Sequence, residues 1–139
     1  MYKDNYFKSY MDYRAITDKN SSQYKLIHSE KISVCSDGLL RDKNGFIAVA
    51  LGSYYSTKIG ERFIITFENG NKIKVITCDA KADKDTINGA NHKTDGSMIE
   101  MIIDVNKAKK YYPMGIKMGD FNHEEGFQGN IIKIVKVVN

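Results

Sequence analysis

Two carboxylates at strand ends are the residues of this 139-residue chain best suited to proton chemistry. Asp79 closes the apolar run Val75-Ile76-Thr77-Cys78, and Asp104 closes Met101-Ile102-Ile103. A carboxyl group set among apolar side chains is costly to ionise unless something pairs with it. Desolvation raises its pKa, which lets an acid donate a proton near neutral pH. The plain alternative for Asp104 is a cap on a helical turn at Asn106–Lys109. In strict alternation Glu100, Ile102 and Asp104 share one strand face, so Glu100 either flanks the same groove or points to solvent. Asp79 is followed by Ala80-Lys81-Ala82-Asp83-Lys84-Asp85-Thr86, a polar loop leaving a buried strand, where rigid scaffolds tend to carry their sites. For Asp83 and Asp85 the alternative is Asx turns in solvent. Gly52-Ser53-Tyr54-Tyr55-Ser56 follows another apolar run. With no Trp in the chain, Tyr54 and Tyr55 are the candidates to stack on the apolar face of a sugar; the alternative is lid packing.

Other chemistries lack their residues. His28, His92 and His123 have no ligand spacing to one another or to either cysteine, so no metal site is expected. The run from Asp83 fails as a calcium loop, with Ile87 at its fifth position and Thr94 at its twelfth. There is no GxxxxGK[ST], GxGxxG or GxSxG, and no cofactor is expected. Cys35 and Cys78 are too few for a disulfide framework, and two buried free thiols are expected rather than a bridge.

The elements that must position these residues are short. The patterns predict strands at Tyr24–His28, Lys31–Cys35, Phe46–Leu51, Arg62–Glu68, Lys72–Cys78, Met98–Val105 and Asn130–Val138. Glu68-Asn69-Gly70-Asn71 between two β-branched runs is a hairpin cue, and Asp42-Lys43-Asn44-Gly45 marks a second turn. Asn106–Tyr112 is the expected helix, capped by Asp104 or Asn106 and ended by Pro113. Residues 1–139 are expected to make a single domain, with 1–23 a Tyr-rich extension lying on a core and about 24–139 the barrel. Six or seven short strands with one or two small helices point to a mainly β fold closed as a barrel, since closure removes exposed edges.

Net charge is +4, from 21 Lys and Arg against 17 Asp and Glu, and only Arg14, Arg41 and Arg62 are arginines. This suits an anionic surface such as a cell wall and falls short of a nucleic-acid footprint. No apolar stretch is long enough to insert in a membrane, and the N-terminus has no apolar core of a secretory signal.

Val75-Ile76-Thr77-Cys78-Asp79 and Met101-Ile102-Ile103-Asp104-Val105, with Ile47–Tyr55 ahead of them, resemble the 3D domain, named for three aspartates. That family belongs to the double-psi β-barrels, beside lytic transglycosylases and expansins. Its usual pattern runs Asp-Thr-Gly-Gly, a short loop, then a strand carrying Asp. Here Ala80-Lys81 replaces Gly-Gly and the loop is longer. The resemblance covers roughly residues 46–138 and is also to small wall-lytic or tail-associated domains in phages of Gram-positive bacteria. It implies a six- to seven-stranded double-psi β-barrel, facing the cell wall from outside the cell or carried on a virion. The implied activity is cleavage of peptidoglycan glycan strands by a lytic-transglycosylase-like mechanism. Asp104 is then the general acid and base, with Asp79 as its catalytic partner. Tyr54, Tyr55, Lys81, Asp83, His92 and Glu100 contact substrate, and other virion or wall-lytic proteins are partners. The rival is a non-catalytic wall-binding or phage-tail assembly domain, in which both aspartates anchor loops through backbone N–H groups.

Overall fold

The computed structural model describes residues 6–93 and 96–138. The apolar runs pair into one mixed sheet. Its strands are Lys8–Asp12 (β1), Ile32–Val34 (β2), Leu40–Asp42 (β3), Ile47–Leu51 (β4), Arg62–Phe67 (β5) and Lys72–Ala80 (β6), then Ile99–Ile103 (β9) and Ile131–Lys136 (β10). Thr86–Ile87 (β7) and Asn91–His92 (β8) form a separate two-stranded ladder. The helices are Ser22–Ile27 (α1), Val105–Tyr111 (α2) and Pro113–Met118 (α3). The order is β1-β9-β4-β6-β5-β10, with β3 joined to β4 and β2 to β3. β1 runs parallel to β9 and β4 parallel to β6, while β4 with β9, β6 with β5 and β5 with β10 are antiparallel.

β4 is central because Ile-Ala-Val-Ala-Leu can be buried on both faces. Ile47, Val49 and Leu51 enter a core with Phe63, Ile65, Phe67, Val75, Met101, Ile103 and Phe121. Ala48, on the other face, lets a second layer approach, where Ile27, Ile32, Leu40, Ile76, Cys78 and Ile102 meet. Each such large side chain taken wholly from water contributes about 1.5–3 kcal/mol. The β5–β6 hairpin forms at the expected turn: the Phe67 amide donates to the Asn71 carbonyl at 2.8 Å, and Gly70 supplies a φ of +90°.

Three expectations change. Tyr24–Ile27 is helical, with His28 as C-cap, because the Ser21 hydroxyl caps α1 by accepting from the Tyr24 amide at 3.1 Å. The sheet reaches into the segment read as an extension, since Lys8–Asp12 pairs in register with Ile99–Ile103. Pro113 does not only end α2; it opens α3 at the first-turn position that proline favours. The ladder path has two ends, β1 and β10. The segment just ahead of β10 approaches β1, where the Lys8 ammonium donates to the Gly129 carbonyl at 2.7 Å, but no ladder joins the two strands among the described residues. Both cysteines are free thiols, with Cys78 buried and Cys35 only half-buried.

Candidate functional site

Register decides which charges stand beside one another. Ala50 of β4 pairs with Asp79 of β6 on one side and with Glu100 of β9 on the other. Adjacent strands lie about 4.8 Å apart, so the Asp79 and Glu100 backbones stand roughly 10 Å apart across Ala50. A bulge makes this alignment: Val49 pairs with Thr77 but Ala50 with Asp79, so Cys78 is passed over. Asp79 is half-buried and accepts from Gln23 Nε2 of α1 at 3.3 Å and from the Ala80 amide at 2.8 Å.

The neighbouring loops add polar groups. The Lys81 amide donates to the Leu51 carbonyl at 3.0 Å, and its buried ammonium donates to Ser97 Oγ at 3.2 Å. Ser97 Oγ also meets the hydroxyl of Ser9, the register partner of Glu100, at 3.2 Å. Ser53 Oγ donates to Asp83 at 2.5 Å and the Tyr54 amide to the Gly89 carbonyl at 3.0 Å, fastening the tyrosine loop to the acidic one. That seam needs glycine at 52, where a Cβ would fall 1.9 Å from the Gly89 oxygen. Tyr54 is 71% exposed and meets Tyr55 edge-to-face at 4.9 Å, while burial raises the Tyr55 phenol pKa. The His92 amide donates to the Ser97 carbonyl at 2.8 Å, placing β8 beside the same group.

Asp79, Lys81, Asp83, His92, Glu100, Tyr54 and Tyr55 therefore gather at one end of the sheet. Asp104 does not join them. Met101 pairs with Val49 on an antiparallel strand, so Asp104 lies toward the start of β4, about 13 Å along β9 from Glu100. It is buried as the cap of α2, accepting from the Lys107 amide at 3.3 Å and from Arg14 Nη2 at 3.3 Å. Arg14 also forks onto Asp12 through Nε and Nη2, each at 2.7 Å, and Asp12 accepts from the Val105 amide at 3.0 Å. The Arg14 guanidinium holds the Asp12 carboxyl well below the usual carboxylate range.

Sequence reasoning missed Asp12 and Arg14, whose only signal is an Asp-x-Arg spacing before a turn. It also missed Ser9, Gln23 and Ser97, which no motif marks. A cavity of about 510 Å³ lies elsewhere, between Leu26, Asp42, Arg62, Ile76 and Val137. Four of its charges are paired, Arg62 with Asp42 at 2.9 Å and Lys136 with Glu61.

No protein-family model matches the chain, and no curated protein and no solved structure shows significant similarity to it.

Proposed function

We propose that the Asp79–Glu100 end of the sheet binds and cleaves peptidoglycan glycan strands. The observation carrying this reading is the pairing of Ala50 with Asp79 on one side and Glu100 on the other, on rigid strands and beside Lys81 and the exposed Tyr54. The two parallel pairings set around an antiparallel one, together with the approach of β1 to β10, support a double-psi barrel as the scaffold. In this mechanism Glu100 protonates the glycosidic oxygen as that bond breaks. As a carboxylate it then takes the proton of the muramic acid 6-hydroxyl, whose oxygen closes on the anomeric carbon to give a 1,6-anhydro end. Asp79 orients the sugar, Lys81 and His92 contact its acyl or peptide oxygens, and the tyrosines stack on the ring. Asp104 holds α2 in place. Acting on the wall sets the protein outside the cell, free or on a virion.

The test is incubation with isolated Gram-positive sacculi and mass spectrometry of the released material. Anhydro-muropeptides from the wild type, absent with Glu100→Gln, are the expected result. Reducing-end products lost with the same substitution would make the protein a hydrolase; two carboxyls about 6.5–9.5 Å apart suit that chemistry with inversion. Release undiminished by either Glu100→Gln or Asp79→Asn would overturn this placement of the site.

One observation favours a non-catalytic wall binder on the same scaffold: both Asp79 and Asp104 accept from backbone amides, as anchoring residues do. Sedimentation with sacculi and no release from the wild type would establish that reading.

A further inference from the structure

The chain's entire net charge sits on one pair of helices. Residues 105–119 hold Lys107, Lys109, Lys110 and Lys117 and no acidic residue, which leaves 17 cations against 17 Asp and Glu elsewhere. All four lysines are exposed, and none forms an ion pair among the described residues. Among them stand Tyr111, Met114 and Met118, which are 56%, 47% and 52% exposed.

Met114 and Met118 are four residues apart on α3 and share its outer face with Lys117. The inner face is already used: Gly115 is buried against Phe121 and Glu124, and Ile116 packs on the core. The Glu124 carboxylate accepts from the Gly115 amide at 2.7 Å on that inner side. Packing within the chain therefore accounts for one face of α3 and leaves an apolar face ringed by lysine.

We propose that the α2–α3 pair docks the protein on an anionic lipid bilayer surface. Lysine ammoniums meet lipid phosphates while their stems lie along the apolar groups. Met114 and Met118 enter the headgroup–acyl boundary and Tyr111 sits at headgroup level. A free polyanion would engage the lysines and leave the methionines without partners; a bilayer surface engages both. α2 leaves β9 at the Asp104 end, so docking turns the Asp79–Glu100 end away from the bilayer.

The test is co-sedimentation of the full chain with vesicles of phosphatidylcholine, alone or with phosphatidylglycerol added. Sedimentation only with the anionic vesicles, weakening as salt rises, is expected. Each lysine near such a surface is worth roughly fivefold in affinity, so replacing all four by Gln costs on the order of a hundredfold or more. Because the chain has no Trp, Met118→Trp is a single reporter whose emission shifts to the blue on anionic vesicles. Circular dichroism matching the wild type separates lost docking from lost folding. Failure of the wild type to sediment, equal binding by the Gln variant, or unmoved Trp emission would overturn the proposal. Retention on soluble polyglycerol phosphate with unmoved emission would assign the lysines to a wall polymer instead.

Discussion

β9 has a carboxylate near each end, Glu100 and Asp104, and the two ends of the sheet use charge in opposite ways. At the Asp104 end Arg14 is held between Asp12 and Asp104, and both carboxylates also accept from backbone amides of α2. Every bond there secures one element to another. At the Glu100 end Asp79 meets a neutral amide side chain and one backbone amide, and forms no ion pair among the described residues. The groups around it are serine hydroxyls, a buried lysine and an exposed tyrosine. A strand-terminal Asp reads the same in sequence at both places. What separates a fastening from a site is what its neighbours offer.

The largest expected contrast is in activity. Glu100→Gln should lower release from sacculi by about 10²–10⁴-fold with melting temperature little changed. Asp104→Asn should lower melting temperature and keep activity wherever the protein is folded. Activity and thermal unfolding measured on the same preparations check both, and a folded but inactive Asp104→Asn would reverse the roles of the two ends.

Next in size is stability at the fastened end. Asp12→Ala removes the acceptor for the Val105 amide and the fork of Arg14, and should cost about 2–3 kcal/mol in urea unfolding. Because the folded carboxyl of Asp12 lies below its ordinary value of 3.8, its contribution is complete above about pH 4 and is lost as pH falls through the folded value. Wild type should therefore lose stability in acid more steeply than Asp12→Ala.

At the other end Gly52→Ala places a methyl group against the Gly89 carbonyl and should cost about 1–3 kcal/mol. It parts the tyrosine loop from the acidic loop, so affinity for glycan should fall further than the Asp12 variant's does at equal melting temperature. The remaining effect is alkaline. Lys8, fully buried at the start of β1, donates to the carbonyls of Tyr6 and Gly129 and to Asn122. Burial pulls its pKa down from 10.5 to about 8. Between those values the unfolded chain holds a proton that the folded chain has released, so stability should rise with pH across that window. Lys8→Met should flatten that rise in denaturant titrations.

Much of the scaffold was legible because its signals are local. Phe63–Phe67 and Ile73–Ile76 alternate or run apolar beside an Asn-Gly turn, and Asp104 precedes a helical stretch as a cap should. The early segments were not legible for a physical reason. Tyr24–His28 reads as a short β-like run, but the Ser21 cap decides for a helix. Lys8–Asp12 has no apolar pattern because tertiary neighbours, the Asn122 side chain and the face of Phe67, take its lysine. The candidate site was half legible. Residue types at the Asp79 end could be named from sequence, yet the pairing of Ala50 with both Asp79 and Glu100 depends on a bulge that no motif announces.

β1 belongs to the N-terminal dozen residues, yet its partners come very late in the chain. Asp12 meets Val105 across 93 residues and the Lys8 amide meets Asp120 across 112. Closing such long loops is entropically slow, and parallel pairing cannot be seeded by a tight turn. During synthesis β1 must therefore wait for this pairing until β9 has left the ribosome. In refolding followed by pulsed hydrogen exchange, the β5–β6 hairpin should gain protection first and β1 only together with β9. This edge of the sheet is thus secured only when β9 arrives.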